Sequence, residues 1–337
     1  MVVWALALRE PVRETATPTD TMTPTWDGPA TVDIPGVLDD GATYSPRLFL
    51  DPQTSVGVAT AQDGAVRVIL ARAPGTFTQL RSRPAQDRVQ VTGFAAQGDT
   101  VVWIESPATG SASLWRASLS SGSTPAQLTT DVGEASFYGV PTEVAVAGDR
   151  VTWTTLSSQG PNRTEVRSTG LDGGPVERDP VDGELLLSGP SWAVSVPGGP
   201  GSPVTLLNLA TQERIVVTPQ PNEAVACSPV WCRVSVTGEG GLVGIDVMRP
   251  DGSQRQRIAG PEASPTIGEA ALLDRYVPLA TNRADGVGLS LYDLDRGQIQ
   301  PIAPRAASVG GRGSILWWST GVGTALTWHD LDLSRLA

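Results

Sequence analysis

The chain predicts an all-β fold, and three observations carry that prediction. Its 337 residues include 37 glycines and 28 prolines, which suits many short strands joined by tight turns. Apolar residues alternate along short segments: in "VVWIES", Val101, Trp103 and Glu105 share one face of a strand. Finally, the chain repeats itself, since "GDTVVWIES" at 98–106 returns as "GDRVTWTTL" at 148–156. After each copy come a polar loop, an alternating strand, a Gly- or Ser-rich turn and a further strand, which makes one four-stranded meander per unit.

Taken in order, the chain opens with residues 1–10, where the apolar run Val2 to Leu8 is far shorter than the ~20 residues needed to cross a membrane. It reads as the end of a truncated membrane anchor, and residues 11–28, rich in Pro and Thr, read as a linker. Residues 29–337 form one repeat domain. Within it, "PATVDIPG" at 29–36 is strand-like but belongs to no unit, and "SVGVATAQDGAVRVILARAPGTFTQLRS" is a first, weaker unit. The two V-x-W units follow. Then come "PSWAVSV", "PVWCRVSV", "DRYVPLA" and "SILWWST", each leading into a further strand and turn.

Equivalent positions are Val58, Trp103, Trp153, Trp192, Trp231, Pro278 and Trp317, with a mean spacing of about 43 residues, inside the ~40–50 range of propeller blades. Seven four-stranded blades of a β-propeller are therefore expected, with six as the alternative. The last unit ends at "DLDLSRLA", short of a fourth strand, so residues 29–36 are expected to supply it and close the ring. Trp103, Trp153, Trp192, Trp231 and Trp317 recur at one strand position, which assigns them to packing between blades and not to a ligand platform.

"IDVMRPDGSQRQRIAG" (245–260) and "LWRASLSSGSTPAQLTT" (114–130) resemble the repeat of TolB-type, WD40-like propellers, where a strand leads into a D-G-S turn and then an Arg-Leu-Thr-like strand. The whole chain is similar to membrane-anchored envelope propellers of high-GC Gram-positive bacteria. The resemblance implies a propeller working outside the cytoplasm, in protein interaction and not in catalysis.

Composition narrows the chemistry. All 24 basic residues are arginine and His329 is the only histidine, so Schiff-base lysines and His-based proton transfer are largely excluded. A net charge of −11 argues against a nucleic-acid partner. No G-x-S-x-G elbow occurs. Asp293, Asp295 and Gly297 in "LYDLDRGQ" form a D-x-D-x-G pattern without the distal Glu of a calcium loop, which reads as a turn. His329 sits between Trp328 and Asp330, with Asp332 beyond, and strand alternation turns it away from Asp330, so it reads as a blade-surface residue. "GGRGS" (310–314) and "GVGTAL" (321–326) read as hairpin turns, lacking the Lys and the helix of a phosphate loop.

The two cysteines, Cys227 and Cys232, flank a four-residue segment, "ACSPVWC". Two thiols and one remote histidine cannot make a structural zinc site, and a thioredoxin-like pair has two intervening residues. A disulfide across a hairpin is expected, with two unlinked buried thiols as the alternative. A disulfide places the domain in an oxidising, extracytoplasmic space, at the cell membrane if the anchor reading holds.

The functional expectation is a non-enzymatic, monomeric binding or scaffold module without cofactor or metal, whose partner is an envelope protein, peptide or cell-wall component. The alternative is an envelope enzyme, a carboxylate-based glycosidase or lyase-type propeller.

Overall fold

The computed structural model describes residues 31–336 apart from 121–123, 135, 138, 139, 142, 159, 161, 197, 267, 284 and 285. The expected anchor at 1–10 and linker at 11–28 lie outside the described residues. The remainder folds into seven four-stranded antiparallel sheets arranged as a β-propeller.

Blade 1 begins with the inner strand Thr43–Asp51, and the inner strands of blades 2 to 7 are Gln90–Gln97, Val144–Ala147, Leu185–Leu187, Glu223–Cys227, Ala263–Pro265 and Val309–Arg312. In blades 1 to 6 the next three strands follow in sequence order from the axis outward. Blade 7 contributes only three from the C-terminal end, and Val32–Pro35 pairs with Thr327–Asp332 as its fourth, Ile34 opposite Trp328. The ring is thus closed by an N-terminal strand within the segment that belongs to no repeat unit, and that strand takes the outer place that Thr327–Asp332 would otherwise occupy.

The repeat is visible in backbone detail. Gly98 and Gly148 turn the chain at φ +57 and +62, a left-handed conformation that costs glycine little. The carbonyls of the following Asp99 and Asp149 accept hydrogen bonds from the backbone N–H of Leu119 and Leu171, each the residue just past the end of the neighbouring strand.

Blades adhere through apolar clusters shared by neighbours. Trp103, fully buried, packs with Leu48, Val56 and Leu70 of blade 1, and Trp153 packs with Ile104 and Leu114 of blade 2. Trp231 and Trp317 face the other way. Trp231 meets Ala263 and Val277 of blade 6, and Trp317 meets Phe49 and Ile69 of blade 1. Trp231 precedes its strand, which begins at Cys232, so equivalent spacing does not place all five tryptophans on one side. Trp192 is only half-buried.

Candidate functional site

The inner strands enclose a central channel with two connected spaces. The larger chamber, about 920 Å³, is lined by residues from all seven blades, and a smaller one of about 300 Å³ continues it. In blades 1, 2, 3 and 7 the strands pass from one to the other: residues 45–47 line the first and 48–50 the second, and likewise 91–94 and 95–96, 143–145 and 145–146, 308–312 and 312–315.

Arg312 lies at the junction and lines both. Its guanidinium leaves blade 7 and donates to the carbonyl of Phe94 in blade 2 at 2.6 Å and of Val144 in blade 3 at 3.3 Å. It therefore spans the lumen. The local sequence explains its placement. A Cβ on Gly310 would come within 2.5 Å of Trp317, and one on Gly311 within 2.7 Å of Leu272, so only glycine lets the inner strand lie that close to its neighbours. "GGRGS" is thus half strand and half turn: Gly310, Gly311 and Arg312 end the inner strand, and Gly313 begins the turn. The acceptor in blade 2 is prepared in a similar way. The register between that blade's first two strands shifts between Thr92 and Ala95, leaving Gly93 and Phe94 in a bulge.

Two carboxyls share the chamber with Arg312. Glu143 enters from blade 3, its Oε2 3.9 Å from Nη1 of Arg312. Its side chain is 56% exposed and forms part of the chamber wall. Desolvation there pushes its pKa above the ordinary glutamate value, and Arg312 opposes the shift. Glu269 enters from blade 6. Desolvation raises its pKa too, the charges of Asp274 and Glu143 add to the rise, and a hydrogen bond from the backbone of Gly313 and the charge of Arg312 oppose it. Glu143 and Glu269 are therefore within electrostatic reach of each other around one guanidinium. Two carboxyls that resist ionisation in one cavity are the arrangement from which general acid and general base are drawn.

The residues singled out from sequence fall elsewhere. Cys227 and Cys232 form a disulfide across the first hairpin of blade 5, where they face each other in register with Cα atoms 4.0 Å apart. Of the five tryptophans, Trp317 also lines the chamber, together with Trp328. Both carboxylate oxygens of Asp293 are engaged by Arg275, and one accepts the backbone N–H of Asp295, so the D-x-D-x-G segment is a turn anchored by an ion pair. His329 sits in the third strand of blade 7, away from the channel lining. Nothing in local sequence marks Glu143, Glu269 or Arg312. The one available signal was the pair of glycines preceding Arg312.

No protein-family model matches the chain, and no curated protein matches it. Solved structures do. A prolyl endopeptidase matches with a TM-score of 0.58 and 15% identity, covering 88% of this chain and 49% of that one. A puromycin-hydrolysing peptidase of Mycobacterium tuberculosis matches at 0.58 and 15%, covering 89% and 53%. The chain spans about half the length of these two peptidases. An oligogalacturonate lyase, solved with manganese, matches at 0.51 and 13%, covering 90% of this chain and 85% of that one. A TolB structure is also among the matches, at a TM-score of 0.41.

These matches overturn the expectation of a non-enzymatic scaffold, since the similar structures are mostly of enzymes, peptidases and a lyase among them. The physical reason is that a census of residue types counted the missing lysines and histidines. It could not see that the channel gathers carboxyls. The described residues contain no group of three or more His, Cys, Asp or Glu side chains able to hold a metal ion, so they do not fit the manganese of that lyase.

Proposed function

We propose that the chain is a glycan-cleaving enzyme working by carboxylate acid–base chemistry in its central channel, with Glu143 and Glu269 as the acid–base pair. The carrying observation is the placement of these two desolvated carboxyls around Arg312, from blades 3 and 6 on facing arcs of the ring. A carboxyl that retains its proton can protonate a leaving oxygen, while its ionised partner withdraws a proton from water or from the sugar. Arg312 favours the ionised form of either. The match to the oligogalacturonate lyase, over 90% of this chain and 85% of that one, supports this reading.

The disulfide indicates an oxidising, extracytoplasmic setting, and among the described residues no helix is long and apolar enough to cross a membrane. Attachment to the membrane through residues 1–10 belongs to this proposal.

The test is turnover of a panel of neutral and acidic oligosaccharides, read by release of new chain ends. Glu143→Gln and Glu269→Gln should each lower kcat by about 100-fold or more, the range of general acid–base catalysis, with unchanged circular dichroism. Cleavage that survives both substitutions, or no cleavage of any member, refutes the assignment.

A further inference from the structure

Arg47 is the cation of the chamber that no ion pair holds among the described residues. It lies in the inner strand of blade 1, where the register with the second strand shifts between Pro46 and Leu48. A bulge of this kind re-aims a side chain out of the regular alternation, and Arg47 is exposed on the chamber wall. Among the described residues it has no ion pair or hydrogen bond through its side chain. The other channel guanidinium, Arg312, is held by two carbonyls and faces Glu143. Of the three carboxyls on the chamber wall, Glu143 faces Arg312, and neither Glu269 nor Asp274 makes an ion pair with Arg47 among the described residues. In a chain whose net charge is −11, a bulged, unpaired arginine inside the channel is a local exception to the charge of the whole.

We propose that the chamber takes a short carboxylated oligosaccharide end-on, its carboxylate paired with Arg47 and its advance stopped by Arg312. This rests on the reading of the channel as a glycan-cleaving site. Arginine presents a planar pair of donors that matches a carboxylate in two parallel hydrogen bonds. The size fits a short chain, since about 920 Å³ lies within the range of small-ligand sites and not of polymer grooves. Because Arg312 crosses the lumen from blade 7 to blades 2 and 3, a polymer cannot thread through the ring. Only a chain end reaches Glu143 and Glu269.

The experiment is calorimetric titration of the full chain with hexuronate oligomers of increasing length and with glucose oligomers of matching length. Hexuronates should bind at least about tenfold more tightly, the loss expected on removing one charge-assisted pair, and their affinity should stop rising once the chamber is filled. Arg47→Ala should abolish the preference, Arg47→Lys should restore part of it, and the thermal midpoint should stay unchanged in both. Glu143→Gln, which removes turnover under the reading above, should leave this binding in place. Hexuronate binding without turnover of any glycan sinks the catalytic reading and leaves the anion site standing. Equal affinity for both series, no binding of either, or indifference to Arg47→Ala overturns the anion site, whatever the turnover results.

Discussion

His329 and Asp33 close the ring: Nδ1 of the histidine lies 2.7 Å from Oδ1 of the aspartate, directly opposite it across the strand pair that joins the two ends of the chain. Thr320 holds the other ring nitrogen at 2.6 Å, and Trp318 stacks on the imidazole. The same closing strand buries Ile34 completely between blades 7 and 1. Asp33 is 60% exposed, and exposed ion pairs contribute about 0–1 kcal/mol, whereas deleting a buried isoleucine side chain costs about 2–5 kcal/mol. Ile34→Ala should therefore lower the denaturation midpoint far more than Asp33→Ala. Equal effects would mean that charge, and not packing, holds the closure.

Asp330, one residue along, predicts a pH dependence. It is 1% exposed and neither carboxylate oxygen has a partner among the described residues. Desolvation first, then the charges of Asp33, Asp51 and Asp332, push its pKa up to about 8. The unfolded chain releases this proton near the ordinary aspartate value of 3.8, so the folded state is the better proton binder between the two values. Stability contributed by the protonated group is full below about 4 and is lost as pH rises toward 8, at no more than about 1.4 kcal/mol per pH unit. Urea denaturation at pH 5 and pH 8 should show a larger loss in the native protein than in Asp330→Asn. Parallel curves would remove Asp330 as the cause.

The repeat was legible because Trp103 and Trp153 recur behind the same Gly-Asp turn, and closure was legible because 29–36 was strand-like and unassigned. The direction in which each tryptophan faces was not legible. Where a strand begins is set by its pairing with the neighbouring strand, which linear spacing does not fix, and Trp231 and Trp317 face the following blade. The site was hidden for a related reason. Glu143, Glu269 and Arg312 come from three different blades, and only the curvature of the ring brings them together. His329 was read against its sequence neighbours, while its acidic partner lies 296 residues away.

Burial ranks the tryptophans energetically. Trp103 and Trp153 are fully buried, and their indole N–H groups donate to Glu105 and to the Val132 carbonyl; Trp192 is half-buried at the start of its strand. Replacing Trp153 with alanine should cost about 3–5 kcal/mol, and Trp192→Ala clearly less. Chemical denaturation of the two variants decides the order.

The disulfide closes a loop with a sequence separation of only 5. In the chain-entropy view so short a loop is worth roughly 2 kcal/mol, so a Cys227→Ser, Cys232→Ser double variant should remain folded with a modest drop in midpoint. Alkylation of the denatured, unreduced native protein should label no thiol, and labelling of both after reduction should restore the count. Thiols labelled without reductant would contradict the oxidised pair.

As the proposed acid–base residue, Glu143 should set stability against activity. Desolvation makes its ionised form costly, and the partial compensation from Arg312 acts across 3.9 Å without a direct hydrogen bond. A neutral amide of the same shape removes that cost, so Glu143→Gln should raise the thermal midpoint slightly, or at least not lower it, while abolishing glycan cleavage. Residues kept for chemistry commonly show this opposition, since sites selected for reactivity are not selected for stability. A structural role predicts the reverse: a lower midpoint with activity lost only in proportion to unfolding. Differential scanning calorimetry and turnover on the same preparations separate the two, and a destabilised but active variant would remove Glu143 from the acid–base pair.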